Sequence, residues 1–323
     1  MSVDQSIFKA YDIRGLYGEQ IDGDLAERIG RAFARVLAEL EGVPTNELRV
    51  AVGHDMRLPA AELTARYEAG LVSEGVEVLS AGRVATEVVY HLVGSRELHG
   101  GLVCTASLNP KAYTGATLLR EGALALSGDA GIDRIRDLIG AGLPEPPGGG
   151  SVEAVDAGEA FRATALSFVD AAAIGGLRVV LDGGNGMAGP TIGPILERFD
   201  LDVTTSYWEP DGNFPFHEPN PLLPENREAI IAKVRESGAD LGIAFDGDAD
   251  RCFFIDEHGE FAPGDFTTAL LARSLLRTHP GAAILYDVRA SRAVADTVTE
   301  AGGHAFRNRV GHAFFKSRMR EEG

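Results

Sequence analysis

The sequence reads Leu241-Gly-Ile-Ala-Phe-Asp-Gly-Asp-Ala-Asp-Arg251 at the point that decides its fold class. A short apolar run, Leu241–Phe245, is followed by Asp246, Asp248 and Asp250 at alternate positions. Such a run, bounded by turn residues, is typical of a buried strand. An extended loop after the strand would direct all three carboxylates to one side. Open α/β sheets bind ligands at the carboxyl ends of their strands, so we interpret this loop as a candidate metal site.

Apolar runs alternate with helical patterns on both sides of this acidic loop, which predicts an α/β fold. The stretch 142–150 is rich in glycine and proline and predicts a linker. We therefore predict consecutive α/β domains over residues 1–148, 152–256 and 257–323, each with a mixed, mainly parallel sheet between helices. The predicted strands are 49–53, 76–79, 101–104, 177–181, 201–205, 241–245, 252–256, 260–261, 283–286 and 304–306, and the predicted helices are 60–74, 86–93, 187–198, 224–237, 266–277, 292–301 and 313–320.

The α/β pattern stops after the last predicted helix, with no strand behind it. A third unit of under about 70 residues is small for an α/β domain. We therefore expect the third domain to be incomplete in this sequence.

Charge and composition narrow the classes of partner. The chain has 48 acidic and 30 basic residues among 323, a formal net charge of −18. Such a chain repels nucleic acid and anionic membranes, so we expect neither as a partner. The sequence shows no signal segment and no apolar run of membrane-spanning length, so we expect a cytoplasmic protein. Cys104 and Cys252 lie in apolar runs and are predicted to be buried free thiols. Nothing in the composition indicates an oligomeric state.

The acidic loop has three other interpretations. A solvated acidic turn needs no ligand, although loops of this kind usually carry function. An EF-hand would use Glu257 at position twelve, but Arg251 replaces the glycine required at position six, and strands flank the loop. A haloacid-dehalogenase-type phosphatase would use Asp246 as its nucleophile, but Ala249-Asp250 stands where that type usually has Gly-Thr.

A second loop, Thr105-Ala-Ser-Leu-Asn-Pro110, follows the apolar run that ends at Cys104. Asn109-Pro110 favours a turn, so Ser107 is predicted to lie on an exposed bend. An ordinary connection between strand and turn is the alternative. If the two loops meet, a phosphate on the Ser107 hydroxyl, a divalent cation on the carboxylates and the Arg251 guanidinium would form a phosphoryl-transfer site.

A glycine-rich loop follows the predicted strand over 177–181. Gly184-x-Gly186-x-x-Gly189 matches a dinucleotide-binding fingerprint between a strand and a helix. Pro190 and Pro194 make the following helix irregular. We therefore favour a tight strand-to-helix turn that leaves helix amides exposed over nicotinamide binding.

Basic residues recur at loop positions of this acidic chain. Each of them alone is by default a solvated surface residue, but a cleft that gathers several would attract a small phosphorylated anion. These residues are Lys9, Arg14, Arg57, Arg251, Arg289, Arg292, Arg307 and Arg309.

Five segments, taken in order along the whole chain, resemble the α-D-phosphohexomutase family, in particular its bacterial phosphomannomutase/phosphoglucomutase type. The loop Asp-Gly-Asp-Ala-Asp-Arg is the most specific of them. The five segments are Phe8-Lys-Ala-Tyr-Asp-Ile-Arg-Gly15, the serine loop, Asp211-Gly-Asn-Phe-Pro215, the acidic loop, and Gly311-His312 with Phe315-Lys316.

The resemblance implies a reaction and a set of site residues. The reaction interconverts hexose 1-phosphate and hexose 6-phosphate, of mannose or glucose, through a phosphoserine and a hexose 1,6-bisphosphate. The implied cofactor is Mg²⁺ and the implied partner is a small-molecule hexose phosphate. The residues implied to hold the metal are Ser107, Asp246, Asp248 and Asp250; those implied to be catalytic are Ser107, Arg14 and Arg251; those implied to bind the substrate are Tyr11, Arg289 and His312.

The sequence departs from the family pattern in four places. Leu108 stands where the family usually has His, and Thr117 stands where it usually has Lys. If both missing groups touch the transferring phosphate, each loss would cost about 10²–10³-fold in rate. Ala85-Thr86-Glu87 replaces the usual Pro-Thr-Pro. The sequence also ends before the family's sugar-recognition loop and its fourth, phosphate-binding domain, so we expect this chain not to close a complete active site.

These observations leave two hypotheses of different class. The first is a phosphohexomutase, favoured by Ser107, the three aspartates and Arg251. The second is a degenerate relative that binds Mg²⁺ and sugar phosphate, or only a protein partner, without turnover, and it is favoured by Leu108 and Thr117. A phosphatase that uses Asp246 is a more distant third.

Overall fold

The structure is a computed structural model that describes residues 3–322, apart from the side chains of Asp129 and His312. Three α/β units follow one another along this range. Within it, we find no helix with the length and apolar character that a membrane span requires.

The first unit places seven of the described strands in one sheet. Its elements are β1 (Ile13–Leu16), α1 (Gly23–Glu41), β2 (Arg49–His54), α2 (Ala60–Ser73), β3 (Glu77–Arg83), α3 (Thr86–Ser95), β4 (Gly100–Cys104), β5 (Tyr113–Arg120), β6 (Leu124–Ala125), α4 (Asp133–Ala141) and β7 (Ser151–Ala154). The order across the sheet is β1-β5-β4-β2-β3-β7, with β6 beside β5. The pairs from β4 to β7 are parallel, and β1, β5 and β6 add antiparallel pairs.

Helices cover both faces of this sheet. The Asp22 side chain accepts a hydrogen bond from Leu25 N at 2.8 Å and caps α1. α1 packs on one face with α2 and α4, and its Ile29, Phe33 and Leu37 are fully buried there. α3 covers the other face in a second apolar cluster, which we call the α3-side cluster; its members include Tyr90, Leu119 and Ala313.

The second unit has five described strands in its sheet. Its elements are α5 (Gly158–Ser167), β8 (Gly175–Asp182), α6 (Ala188–Leu196), β9 (Asp200–Ser206), α7 (Glu228–Ser237), β10 (Leu241–Phe245), β11 (Cys252–Asp256) and β12 (Phe261–Ala262). The sheet order is β12-β11-β10-β8-β9. β10, β8 and β9 are parallel, whereas β11 and β12 form antiparallel pairs, so β10 ends inside the sheet and its loop opens at the carboxyl edge.

The third unit pairs two parallel strands and packs helices on them. Its elements are α8 (Gly264–Thr278), β13 (Ala283–Asp287), α9 (Arg292–Glu300), β14 (His304–Asn308) and α10 (His312–Glu321). Ala272 and Leu276 of α8 meet Val294 and Val298 of α9 in its core. α10 does not belong to that core, since its Ala313 is buried in the α3-side cluster of the first unit.

The predicted fold class is confirmed, and the predicted strands and helices lie within a few residues of the observed ones. The division at 148, 152 and 257 stays a prediction. β7 pairs in parallel with β3, Glu77 opposite Ser151, so the first sheet continues past the glycine- and proline-rich stretch. Cys104 is buried as predicted, but the prediction for Cys252 was wrong, because that residue starts β11 with an exposed side chain.

Candidate active site

The serine loop and the acidic loop meet between the first two units. The serine loop follows β4 and the acidic loop follows β10, so each leaves the carboxyl end of a strand. Ser107 Oγ donates a hydrogen bond to Asp246 Oδ2 at 3.0 Å, although 139 residues separate the two in sequence. Arg251 Nη2 donates to the same Ser107 hydroxyl. The hydroxyl, carboxylate and guanidinium named from the sequence therefore lie in contact.

The three aspartates form a cluster that suits a cation. One oxygen from each of Asp246, Asp248 and Asp250 lies within 4.8 Å of the others. Asp246 and Asp248 are buried, and Asp248 Oδ1 has no hydrogen-bond partner among the described residues. Arg251 Nη2 lies 4.0 Å from that oxygen, beyond hydrogen-bonding distance, and one guanidinium does not balance three carboxylates. The set of oxygen ligands fits a hard divalent ion such as Mg²⁺.

The protonation behaviour of the cluster follows from burial and charge. Burial and the repulsion of Asp248 and Asp250 raise the pKa of Asp246 well above its usual range. Burial also acts on Asp248, but Arg251, Thr86 and Arg14 outweigh it and lower the pKa of that carboxyl. One carboxylate is thus held charged while its neighbour resists ionisation, as expected where like charges crowd without a metal.

Arg251 closes the acidic loop on itself. Its backbone N donates to Asp246 Oδ1 at 3.1 Å, and its Nη2 lies 2.7 Å from Asp246 Oδ2. Its Nε lies 2.6 Å from Asp250 Oδ1. Burial opposes the charge of Arg251, but the three carboxylates outweigh it and raise the pKa of the guanidinium. The side chain is 41% exposed, so it can also reach an anion that enters the cleft.

Ser107 is held in an unusual backbone conformation. Its φ is +47°, and Ala249 in the acidic loop has a φ of +58°. A residue other than glycine adopts this left-handed backbone conformation at a cost of about 1–2 kcal/mol. Residues held in this way cluster at functional sites. Ser107 N donates to Thr105 Oγ1 at 2.9 Å, which stabilises the turn.

Two threonines that the sequence analysis did not select bind the acidic loop from the first unit. Thr86 Oγ1 donates to Asp248 Oδ2 at 2.6 Å, and Thr105 Oγ1 donates to the same atom at 3.2 Å. Thr86 N also donates to the Asp248 carbonyl at 3.2 Å. Thr86 is the central residue of the Ala-Thr-Glu segment. Its position just after the carboxyl end of β3 is the feature of the sequence that could have identified it as a site residue. These bonds orient Asp248 and leave its Oδ1 for a cation.

Arg57, noted in the sequence only as one basic residue among several, supports the serine loop. Its guanidinium donates to the carbonyls of Ser107 at 2.9 Å, Asn109 at 2.6 Å, Pro110 at 2.9 Å and Tyr113 at 3.2 Å. Its Nε lies 3.3 Å from Asp55 Oδ2. Both side chains of this ion pair are buried, so the pair is structural and positions the loop that carries the hydroxyl.

We expect the substitution Arg57→Lys to lower the free energy of unfolding by about 2–4 kcal/mol, because buried carbonyls that lose their donor are costly. A lysine keeps the charge beside Asp55 but cannot reproduce the planar set of donors. Urea unfolding at pH 7.5 measures the effect. Arg134→Lys is the matched control, because Arg134 and its partner Glu39 are both half-exposed and the change should leave the midpoint where it was. Equal midpoints for the two variants would contradict the role given to Arg57.

Arg14 also lies at the serine loop. Its Nε donates to Asp12 Oδ2 at 2.8 Å, and its Nη1 donates to the Thr105 carbonyl. Burial opposes its charge, but Asp12, with smaller contributions from Asp248 and Asp55, outweighs it and raises the pKa of the guanidinium. The predicted catalytic arginine therefore lies beside the loop that carries Ser107.

The predicted substrate residues lie around α10. Tyr11 is half-buried and packs against the α3-side cluster. A Cβ built on Gly311 would come within 3.1 Å of Tyr11 Cδ1, so Tyr11 lies beside the start of α10. Arg289 is exposed, and its Nη2 lies 2.6 Å from Asp287 Oδ2. The His312 side chain lies outside the described part of the structure, so the roles of these three residues stay predictions.

The two departures from the family pattern lie on the serine loop and on β5. Leu108 follows Ser107 and is half-buried. Thr117 is buried opposite Val103 of β4. Neither side chain can supply a positive charge to a phosphate on Ser107.

The glycine-rich loop supports the acidic loop and does not present free amides. Met187 N donates to the Gly247 carbonyl at 2.9 Å. A Cβ built on Gly186 would lie 2.5 Å from that carbonyl oxygen, so only glycine permits this approach. The predicted tight turn is present, and the acidic loop occupies the amide of Met187, the residue before α6, so this amide is not exposed.

Asp182, at the end of β8, joins the glycine-rich loop to His217. Asp182 Oδ1 accepts a hydrogen bond from Gly184 N at 2.8 Å, and its Oδ2 lies 3.1 Å from His217 Nε2. Burial lowers the pKa of His217, but the bond and charge of Asp182 outweigh it, so the net shift is upward. The imidazolium is therefore favoured in the folded state.

We expect this pair to make stability depend on pH. The folded pKa of His217 lies above the unfolded value of about 6.5, so the pair contributes fully below that value. The contribution is lost as pH rises through the folded pKa. Melting temperatures of the unsubstituted chain and His217→Gln, measured from pH 5.5 to 8.5, test this. The gap between the two should be widest at the acid end, and a gap that widens toward alkaline pH would contradict it.

Comparison with known proteins agrees with this geometry. Three family profiles match the chain, described as phosphoglucomutase/phosphomannomutase alpha/beta/alpha domains I, II and III, over residues 5–143, 159–259 and 263–323. A protein of Xanthomonas campestris pv. campestris named "phosphohexose mutases" is 40% identical over 319 residues, which cover 98% of this chain and 69% of the relative. The phosphomannomutase of Escherichia coli K12 is 39% identical over 323 residues, with the same shares covered.

A solved structure is similar over nearly the whole chain. The crystal structure of a phosphoglucomutase/phosphomannomutase family protein from Burkholderia thailandensis superposes with a TM-score of 0.92 at 34% identity, covering 99% of this chain and 70% of that one. The resemblance drawn from the five sequence segments is thus confirmed. This chain belongs to the α-D-phosphohexomutase family, the phosphoglucomutases and phosphomannomutases.

Proposed function

We propose that this chain is a hexose-phosphate mutase, an isomerase that interconverts hexose 1-phosphate and hexose 6-phosphate of mannose, glucose or both. Its phosphate carrier is Ser107. The observation that supports this most directly is the contact of the Ser107 hydroxyl with both Asp246 and Arg251. A hydroxyl between a carboxylate cluster and a guanidinium suits the reversible attachment of phosphate.

The metal in this proposal is Mg²⁺, held by Asp246, Asp248 and Asp250 together with the phosphate on Ser107. The unpartnered Asp248 Oδ1 and the small separation of the three carboxylates support this choice. When bound, the cation would neutralise charge on the phosphate oxygens.

The residues of the chain account for the transfer itself. The bond between phosphorus and Ser107 Oγ breaks while a bond to a sugar hydroxyl oxygen forms; that hydroxyl gives up its proton, and Ser107 Oγ takes one up as its own hydroxyl re-forms. The resulting hexose 1,6-bisphosphate reorients and returns its other phosphate to Ser107 Oγ. Arg251 and Arg14 stabilise the charge spread over the moving group, and Arg57 keeps the serine loop in place.

The sugar phosphate is proposed to lie between this centre and the start of α10. In this proposal Tyr11 and Arg289 contact it, and His312 does so from the first turn of α10; the position of Tyr11 beside Gly311 supports this. We propose the small molecule as the physiological partner, because an acidic chain with arginines gathered at one cleft attracts a small anion.

A degenerate relative is the second candidate, and two observations favour it. Leu108 offers no hydrogen-bond donor where the family usually has His, and Thr117, with only a neutral hydroxyl, carries no charge where the family usually has Lys. Such a protein would bind Mg²⁺ and sugar phosphate without turnover. The intact contact between Ser107, Asp246 and Arg251 makes the mutase the better supported of the two.

The intact mass of the chain after incubation with Mg²⁺ and glucose 1,6-bisphosphate separates the candidates. The mutase proposal expects one added phosphate, mapped to Ser107, that is lost on addition of mannose 1-phosphate or glucose 1-phosphate. A folded chain that binds Mg²⁺ and bisphosphate but never gains phosphate would be the degenerate binder.

A further inference from the structure

Lys316 on α10 is a cation that the mechanism above does not use. Its Nζ lies 3.4 Å from the centroid of the Tyr90 ring on α3, and its side chain is half-buried. No hydrogen-bond acceptor contacts this ammonium among the described residues. Burial lowers the pKa of Lys316, against the opposing effect of Glu87 and Asp250. Its three donors are therefore open to water or to an anion that enters beside Tyr90.

Two carboxylates that act electrostatically on Lys316 lie in the metal cluster or next in sequence to a residue that binds it. Asp250 is a member of the metal cluster, and Glu87 follows Thr86, which donates to Asp248. Both act electrostatically on Lys316, and both also act on Tyr90 beneath it. Tyr90 lies one turn beyond Thr86 on α3, so the ammonium, on a helix of the third unit, lies over the helix whose first residue binds Asp248.

Thr117 lies on the face of the first sheet that α3 covers. In β5, Ala116 and Leu118 point into the core beside α1, whereas Leu119 lies in the α3-side cluster with Tyr90. Side chains alternate along a strand, so Thr117 shares the face of Leu119. The uncharged position on β5 therefore lies on the sheet face that α3 covers, and Lys316 lies over Tyr90 of that helix.

We propose that Lys316 is a further catalytic residue, whose ammonium binds the phosphoryl group as it moves between Ser107 and the sugar. This inference rests on the proposed mutase function and supplies, from the third unit, the cation that β5 lacks. The four rotatable bonds of lysine let the ammonium leave the face of Tyr90 when an anion enters. A phosphate oxygen would then provide the acceptor that the free protein does not offer.

The rival explanation is structural, because Lys316 on Tyr90 could simply tie α10 to α3. Comparison of Lys316→Met with the double variant Lys316→Met/Thr117→Lys distinguishes a phosphate-binding role of Lys316 from a structural one. Methionine keeps an apolar stem on the Tyr90 ring and removes only the charge. A lysine on β5 can restore a charge to the cleft but cannot restore a contact between α10 and α3.

The experiment is calorimetric titration with glucose 1,6-bisphosphate in Mg²⁺, with Mn²⁺ binding measured separately. We expect Lys316→Met to weaken bisphosphate binding at least about tenfold and to slow phosphorylation of Ser107 about 10²-fold, with Mn²⁺ affinity unchanged. Thr117→Lys in the same chain should recover most of both losses. Lys233→Met is the matched control, because Lys233 donates to Ser206 in the second unit.

Results other than the expected ones would overturn the proposal for Lys316, the proposed mutase function, or both. If Lys316→Met binds and reacts like Lys233→Met, or if its loss is not recovered by Thr117→Lys, the proposal for Lys316 is overturned. If the unsubstituted chain binds bisphosphate in a Lys316-dependent way but never phosphorylates Ser107, the mutase function fails and the phosphate contact of Lys316 stands. If the unsubstituted chain does not bind bisphosphate, both are overturned.

Discussion

Ser107→Ala is expected to abolish phosphorylation by glucose 1,6-bisphosphate and to reduce mutase turnover at least about 10⁴-fold, because no other hydroxyl can replace a covalent carrier. Ser107 Oγ is the atom on which Asp246 and Arg251 converge. The folded state should survive, since the Arg57 bonds go to loop carbonyls that an alanine keeps. Intact mass and a coupled assay for hexose 6-phosphate measure the two losses.

The same variant tests the phosphatase alternative. A phosphatase that uses Asp246 as its nucleophile would keep hydrolysing sugar phosphate without the Ser107 hydroxyl. Ser167→Ala is the matched control, because the Ser167 hydroxyl is exposed and donates only to Thr164 within its own helix. Ser107→Ala with unchanged turnover, or with hydrolysis intact, would contradict the phosphoserine mechanism.

Asp246→Asn is expected to have opposite effects with and without metal. Without metal, the variant should be at least as stable as the unsubstituted chain at pH 8, because burial and the neighbouring carboxylates oppose a charge on Asp246. With Mg²⁺ at 100 times its dissociation constant, the unsubstituted chain gains about 2.7 kcal/mol, and the variant should gain little of it. Loss of a metal ligand removes several kcal/mol of transition-state stabilisation, so turnover should fall about 10³-fold or more.

Melting temperatures at pH 8, with Mg²⁺ and with a chelator, measure both effects. Asp137→Asn is the control, since Asp137 is exposed and pairs only with Arg136. The stabilisation by Mg²⁺ should also grow as the pH rises, because the raised pKa of Asp246 makes protons compete with the metal. An equal rise in melting temperature for Asp246→Asn and the unsubstituted chain would contradict the assignment of the metal site.

The site residues that could not be identified from the sequence are far in sequence from the groups that they bind. Arg57 is 50 residues from the Ser107 carbonyl that it binds, and Thr86 is 162 residues from Asp248. Each is one of many arginines or threonines with the same local surroundings. Lys316 was seen only as part of a matching segment, and its place over Tyr90 depends on how α10 docks on the first unit.

The errors have the same origin. The apolar run around Cys252 predicted a strand correctly, but burial depends on what covers that strand, and nothing covers its first residue. The glycine-rich loop predicted a tight turn correctly, but the acidic loop takes the Met187 amide. The division of the chain near residues 148 and 152 stays a prediction, and β7 pairs with β3 of the first sheet.

The sequence by itself determined the α/β class, most of the strands and helices, and the two loops that carry Ser107 and the three aspartates. These depend on side-chain periodicity and turn chemistry, which act over a few residues. Only the tertiary structure decided that Ser107 meets Asp246, that Arg57 supports the serine loop and that Lys316 lies over Tyr90. The partner of a buried polar group is chosen by the packing of distant segments, because each such group must find one nearby acceptor or donor among many equivalent ones.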